Sequence, residues 1–307
     1  MKNGKSSGVD TVNNEMLKYS LSIIVPALCK LFNVVYTFSK FPSTWANSIL
    51  TLIHKSGDVQ NPENYRAIAI SSCIGKLFCN VLHNRLLIHI KENEYNNIFQ
   101  IGFQEKCRTS DHVFVLKTII DKYFSMKKKV YACFVDFRKC FDTIWRDGLM
   151  YKLINYNIGG LFFNIIYKMF KQSVMCINFS NGLSDYFPNN IGVRQGCVLS
   201  PTLFKLYVND LPNIFDQSCN PVTLHNLSIN CLLFADDLVI LSETESGLQN
   251  SLHKLSEYSE KWHLKVNMAK TKIIVFNKSG RLCKLTNDIK YNNTIVKQEK
   301  EYVYLGI

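Results

Sequence analysis

Asp236 and Asp237 stand side by side between two apolar runs, Cys231-Leu-Leu-Phe-Ala235 and Leu238-Val-Ile-Leu241. Runs of this kind have strand character, and a short polar step between them suits a β-hairpin with an acidic tip. Two carboxylates about 4 Å apart repel by roughly 4 kcal/mol at an effective dielectric near 20. The pair therefore implies a cation beside it, unless it serves only as a turn, for which aspartate is equally suited. Asp136 is a third acid in a similar setting. It closes the apolar run Val130-Tyr-Ala-Cys-Phe-Val135 and is followed by Phe137, Arg138, Lys139, Phe141 and Asp142. A carboxylate at the end of such a run is costly unless it is paired. Three acids from two strands of one sheet have the chemistry to hold two Mg2+ ions about 4 Å apart, an arrangement that clamps the attacking and leaving oxygens of phosphoryl transfer. Asp142 has the simpler reading of an N-cap for the helix that follows it.

The elements that must position these acids follow from hydrophobic periodicity. Helices are expected over 12–36, 75–92, 110–126, 145–155, 160–170, 201–211 and 245–262, and strands over 49–54, 130–136, 174–179, 231–235, 238–241 and 272–276. Mixed helices and antiparallel hairpins imply an α+β fold with the helices packed on one face of a sheet. A chain of 307 residues, 47% apolar and 20% charged, has a globular composition and enough length for two or more packed subdomains. Its 36 Lys and Arg against 24 Asp and Glu leave a net charge of +12, which favours a polyanion partner, most simply nucleic acid. Eleven cysteines are scattered from Cys29 to Cys283 without a Cys-x-x-Cys pair, and no histidines complete a zinc set, so reduced thiols serving as small core hydrophobes are expected. Pro26 and Lys30 interrupt the apolar window 21–38, and the first residues lack the apolar segment of a secretory leader. The chain is thus expected to stay inside the cell and off the membrane.

Five segments then occur in a fixed order: Phe134-Val-Asp136-Phe-Arg-Lys-Cys-Phe141-Asp142, Gly192-Val-Arg-Gln-Gly196 with Ser200-Pro201, Phe234-Ala-Asp236-Asp237, Asn267-Met-Ala-Lys270-Thr271 and Tyr304-Leu-Gly306. They resemble the successive palm motifs of reverse transcriptases, most closely those of non-LTR, LINE-like retrotransposons. Upstream, Ser7-Gly-Val-Asp10 with Asn14-Glu15, Leu52-Ile-His-Lys55-Ser-Gly57 with Asn64-Tyr-Arg66, and Gly102-Phe-Gln with Thr109-Ser-Asp-His112 resemble the fingers segments of that family. The resemblance implies a right-hand polymerase fold, with fingers and part of the palm in 1–129 and the palm in 130–307, where an antiparallel sheet carries the Asp-Asp hairpin. Ile307 directly follows the Tyr-Leu-Gly motif, so the expectation is a fingers-palm fragment without thumb or preceding endonuclease.

Carried over residue by residue, the resemblance makes Asp136 and Asp236 the metal-bridging acids, Asp237 a more peripheral carboxylate and the Phe137 carbonyl a backbone ligand, for two Mg2+ or, in their place, Mn2+. Lys55 and Arg66 take the triphosphate. Arg194, Gln195 and Gly196 form a turn against the nucleotide or template, with glycine permitting close approach. Phe141 falls where the family places a steric gate beneath the incoming sugar, its alternative being an ordinary core aromatic. Lys270 resembles a lysine near the leaving pyrophosphate, with Lys272 a competitor for that role, and Tyr304, Leu305 and Gly306 form a primer grip. Departures from the family pattern are His54 before Lys55 and Ala67-Ile68-Ala69 after Arg66. The implied activity is RNA-directed DNA synthesis on an RNA template from a DNA primer with deoxynucleoside triphosphates. The alternative is a nucleic-acid-binding remnant of a retroelement with little or no turnover.

Overall fold

The computed structural model describes residues 2–54, 56–179 and 182–306, and of Glu63 and Arg66 the backbone only. The chain forms two compact units, each discontinuous in sequence. The first comprises residues 1–95 and 141–203, the second 96–140 and 204–307. Each unit thus draws on two separate stretches of the chain, and the units interleave in sequence.

In the first unit the strands Asn47–His54 and Tyr65–Ser71 form a long antiparallel hairpin in which Ser48 opposes Ser71 and His54 opposes Tyr65. The second of these strands is absent from the sequence expectations because its run Tyr-Arg-Ala-Ile-Ala-Ile-Ser is weakly apolar. Asn47–His54 also pairs in parallel with Val174–Phe179, so this sheet is mixed and not purely antiparallel. Its core is aromatic: Phe32, Phe41, Trp45 and Phe78 pack with ring centroids 5.2–6.3 Å apart. Gly75, in the helix Cys73–Glu92, lets the Trp45 side chain approach, since a Cβ there would lie 2.9 Å from the Trp45 Cβ and 3.1 Å from its ring Cγ. The expected helix over 12–36 is two, Asn14–Tyr19 and Leu21–Thr37. Ser20 breaks them apart, its hydroxyl donating to the Met16 carbonyl at 2.6 Å.

The second unit is built on a four-stranded antiparallel sheet in the order Lys272–Phe276, Val130–Val135, Asp237–Ser242, Cys231–Phe234. One face, with Ala132, Phe134, Val239, Leu241 and Ile274, packs on Leu116, Ile119 and Tyr123 of the helix Thr109–Ser125. Cys133, Leu238 and Ile240 have the opposite pleat parity and are also fully buried, and the helix Glu245–Lys261 packs on the same strands with Leu248, Leu252 and Leu255. Helices thus cover both faces and not one. The reason lies in the strands: Val130–Val135 and Asp237–Ser242 lack the polar alternation of a half-exposed sheet, so both faces must be buried.

Eight of the eleven cysteines are buried and all eleven are free thiols. Among the described residues no helix is long and apolar enough to cross a membrane.

His112 is 3% exposed, its Nδ1 has no partner, and its ring meets Phe234 edge-on with centroids 6.3 Å apart. Burial holds its pKa down to about 4, against a small opposing pull from Asp111. The unfolded chain takes up this proton near pH 6.5. Stability is therefore expected to fall as pH drops from about 6.5 to about 4, by up to roughly 3 kcal/mol from this group. Urea unfolding at pH 4.5, 5.5 and 6.5 should show a shallower pH slope for His112→Phe than for the wild type, and equal slopes would contradict the buried neutral imidazole.

Candidate active site

The acids lie where the second unit's two central strands meet. Leu238 pairs with Val135 and Val239 with Phe134, so the same register carried one step further sets Asp237 across from Asp136. The turn of the hairpin is displaced by one residue from the sequence expectation. Ala235 and Asp236 form it, while Asp237 already pairs with Phe234 in the ladder. Ala235 adopts φ 57°, a left-handed conformation that is uncommon for a residue with a side chain.

That conformation is clamped from behind. The buried Gln100 side chain accepts from the Ala235 N–H at 3.1 Å and donates to the Ala235 carbonyl at 3.2 Å. The same amide oxygen accepts from the Gly102 N–H at 2.9 Å. Residues 99–101 run beside Cys231–Phe234, with Leu233 bonded to Phe99 and Ile101. A Cβ on Gly102 would lie 2.1 Å from the Ala235 nitrogen. The clamp is a missed feature: Gly102 was visible as part of a motif, but nothing local in the sequence marks Gln100 as buried.

Asp136 is held on three sides by the segment 266–271. Asn267 Nδ2 donates to its Oδ2 at 2.8 Å, its backbone N–H donates to Thr271 Oγ1 at 3.3 Å, and the Asn267 N–H donates to its carbonyl at 2.7 Å. Phe137 bridges Val266, and the flanking bonds use Asp136 and Arg138, which leaves the Phe137 carbonyl out of that pairing. The Lys270 ammonium lies 3.8 Å from Asp136 Oδ1 and is well exposed. Lys272, its competitor, instead sits in the sheet opposite Phe134. Cys140 donates its thiol to Asp236 Oδ2 at 3.3 Å.

Asp237 keeps an exposed edge, yet its carboxyl pKa is pushed up to about 6. Desolvation by its surroundings is the main cause, with the charges of Asp236 and then Asp136 adding to it and Lys270 opposing. Three carboxylates against one ammonium leave a local negative excess. Among the described residues no three His, Cys, Asp or Glu side chains close a ligand set by themselves.

Behind Asp136, the Tyr302 ring stacks on Phe134 at 4.7 Å and the Tyr304 ring tilts against it at 5.3 Å. Burial raises the Tyr304 phenol far above its usual range, and its hydroxyl has no partner. Leu305 and Gly306 follow with φ 52° and 85°, turning the chain.

The remaining expected site residues belong to the first unit. Lys55 lies outside the described residues, and Arg66 is placed by its backbone alone, opposite Ile53. Phe141 is half-buried. Arg194 is 4% exposed, and its guanidinium donates to the carbonyls of Trp45 and Ala46 and to Ser48 Oγ at 2.8–3.3 Å. All three bonds are made by Nη2 and tie Arg194 to the segment 45–48. Gln195 donates to Asp142 Oδ1, a partner for Asp142 other than the expected helix cap. Gly192 and Gly196 have φ 72° and 81°, and a Cβ at Gly192 would lie 2.5 Å from the Asp142 carbonyl oxygen. Arg146, unmarked by any sequence signal, fixes this turn: its guanidinium donates to the carbonyls of Gly192, Ile191, Asn189 and Phe170.

Two neighbouring strands gather three carboxylates at one end of the sheet, with a lysine and an asparagine drawn against the first acid, and residues 53–307 match the family model described as reverse transcriptase (RNA-dependent DNA polymerase). The chain belongs to that family. Its relatives narrow the kind to the non-LTR elements expected from the sequence. It is 29% identical over 313 residues to the probable RNA-directed DNA polymerase from transposon BS of Drosophila melanogaster, covering 99% of this chain and 34% of that protein. It is 24% identical to the RNA-directed DNA polymerase from mobile element jockey of the same species, covering 99% and 33%. To the Pol polyprotein of the type-1 retrotransposable element R2 of Nasonia vitripennis it is 24% identical, covering 90% and 27%. The chain thus spans about a third of the length of these curated relatives. Among solved structures, apo telomerase from Candida tropicalis truncated from its C-terminal domain shares the fold, with a TM-score of 0.57 at 14% identity over 85% of this chain and 56% of that one.

Since Gly102 presses on Ala235, Gly102→Ala is expected to lower stability by about 1–3 kcal/mol through overpacking. Urea unfolding measures this, and a neutral result would show that 100–102 does not brace the acidic turn.

Proposed function

We propose that the chain is the core of an RNA-directed DNA polymerase. The primer 3′-hydroxyl attacks the α-phosphorus of a deoxynucleoside triphosphate, the bond to the β-phosphate breaks, and pyrophosphate leaves. The observation that carries this reading is the pairing of Asp136 and the Asp236-Asp237 turn at the end of one antiparallel sheet, within a chain of the reverse transcriptase family. On this reading the four-stranded sheet is the catalytic part of a palm, and the Asn47–His54/Tyr65–Ser71 hairpin belongs to fingers.

Asp136, Asp236 and the Phe137 carbonyl would hold two Mg2+, with Asp237 at their edge, and these ions supply Lewis-acid activation of the hydroxyl and charge neutralisation at the phosphates when bound. Asn267 and Thr271 orient Asp136, so its carboxylate is fixed before substrate arrives. Lys270, whose ammonium lies 3.8 Å from Asp136 Oδ1, is assigned proton transfer to the departing pyrophosphate. Lys55 and Arg66 are assigned to the triphosphate, whose anionic oxygens suit a point charge and a planar fork of donors. Phe141 is assigned the exclusion of a 2′-hydroxyl, Gln195 and Gly196 the close approach to nucleotide or template, and Tyr304 to Gly306 the primer. Arg194 and Arg146 support the Gly192 to Gly196 turn from inside.

Asp136→Asn or Asp236→Asn should abolish Mg2+-dependent primer extension while leaving the fold intact, because each keeps shape and removes a metal-binding charge. Extension within about threefold of wild type, under 1 kcal/mol of transition-state stabilisation, would refute the assignment. Wild-type chain that binds template-primer but never extends it would return the remnant reading. Phe141→Ala should raise the use of ribonucleotides relative to deoxynucleotides, since a ring excludes a hydroxyl by volume. Single-nucleotide incorporation with each type measures the ratio, and unchanged discrimination would make Phe141 a packing residue.

A further inference from the structure

At the opposite end of the second unit's sheet from the acids lies a cleft of about 490 Å³ lined by Lys127, Lys128, Lys129, Lys278, Arg281 and Leu282, among others. Two loops build it. Residues 126–129 lead into the strand Val130–Val135, and residues 277–283 leave the strand Lys272–Phe276, which pairs with it so that Phe276 opposes Val130. Six strand residues separate these cations from Asp136, about 20 Å at ~3.3 Å per residue.

The second loop is folded and presents its charges in a fixed way. Asn277 Oδ1 accepts from the Ser279 N–H at 3.1 Å, and Asn277 Nδ2 donates to the Arg281 carbonyl at 2.7 Å. Gly280, at φ 63°, closes the turn. Lys278 and Arg281 flank it in sequence and are exposed.

Some of this charge has local employment. Lys127 and Lys128 follow the C-terminus of the helix Thr109–Ser125, where cations complement the helix dipole. Lys128 also pairs with Glu243 at 3.5 Å. Lys129 donates to Cys283 Sγ at 2.9 Å. The nearby acids are engaged elsewhere: Glu243 with Lys128 and Tyr123, Glu245 with the Thr286 N–H. Lys127, Lys278 and Arg281 make no ion pair among the described residues. No carboxylate lines the cleft, and of its cations only Lys128 has an ion pair among the described residues, so like charges converge there. Leu282, 52% exposed, adds an apolar side chain to its wall.

We propose that this cleft is a second nucleic-acid site, which holds the phosphate backbone of a single strand through Lys127, Lys129, Lys278 and Arg281. The identity of the ligand rests on the polymerase reading; the cleft and its charge do not. Its place at the far end of the same sheet fits a strand that continues beyond the duplex at the acids, such as the unpaired part of a template.

The test compares two labelled ligands on the full chain by fluorescence anisotropy. One is a short blunt hybrid, the other the same hybrid with a single-stranded overhang of about 20 nucleotides. Replacing the four cations by Gln should weaken the overhang ligand about tenfold or more and reduce its salt slope by roughly 2 to 3, near 0.7 per single-strand phosphate contact. The blunt hybrid should bind as before. The charge-matched set Lys30→Gln/Lys40→Gln/Lys91→Gln/Lys171→Gln, four exposed lysines of the first unit, should leave both unchanged, and photoreactive overhang RNA should crosslink within 277–283 of the wild type. An RNA and a DNA overhang together show whether the 2′-hydroxyl contributes. Equal loss for both ligands, no loss for either, or crosslinks absent from 277–283 would overturn the proposal, as would binding of anionic vesicles but not of the overhang. Asp236→Asn should retain overhang binding. If wild-type chain fails to extend primers while overhang binding still needs these cations, the polymerase reading falls and the cleft remains.

Discussion

Mutual repulsion among Asp136, Asp236 and Asp237 is the constraint around which the second unit is organised. Carboxylates gathered at the end of apolar strands will separate unless the backbone beneath them has no freedom to move. The surroundings act accordingly. Asn267 and Thr271 fasten the first acid, Gln100 and Gly102 lock the turn that carries the second, and Cys140 donates to it. Desolvation first, and the charges of Asp236 and Asp136 after it, raise the pKa of Asp237, and Lys270 offsets only part of that rise.

The doubly buried sheet explains how that rigidity is obtained. Strands covered by Thr109–Ser125 on one face and Glu245–Lys261 on the other are packed at crystal-like density, so their ends act as fixed mounts. The first unit uses a related device on its Gly192 to Gly196 turn, where the buried Arg194 and the half-buried Arg146 serve as multi-carbonyl brackets. Arginine suits this because its planar fork addresses several acceptors at once.

What the sequence made legible were features with a local signature. Strands 174–179 and 272–276 and the acids at their expected strand ends follow from apolar runs bounded by polar steps. Lys270 was separable from Lys272 only in the structure, since their two-residue spacing leaves both near the sheet. The one-residue displacement of the acidic turn was illegible because it is decided by Gln100, more than a hundred positions away. Helices on both faces were missed because near-continuous apolar runs such as Val130–Val135 do not reveal how many faces they bury. Gln195 bonding Asp142 escaped for the same reason as Arg146: the partner comes from tertiary folding, not from spacing.

The interleaving of the two units bears on how the chain is made. Val130–Val135 is the central strand of its sheet, yet its neighbours begin at Asp237 and Lys272. At about 5–20 residues per second, a ribosome reaches Asp237 some 5 to 20 seconds after that strand has been synthesised. During this interval an uncharged apolar segment has both pairing edges open, a state prone to association with other chains. Nor can the first unit close until its closing stretch 141–203 emerges, after part of the second. Folding in the cell is therefore expected to be slow, dominated by distant contacts, and dependent on chaperones that shield Val130–Val135 until its partners arrive.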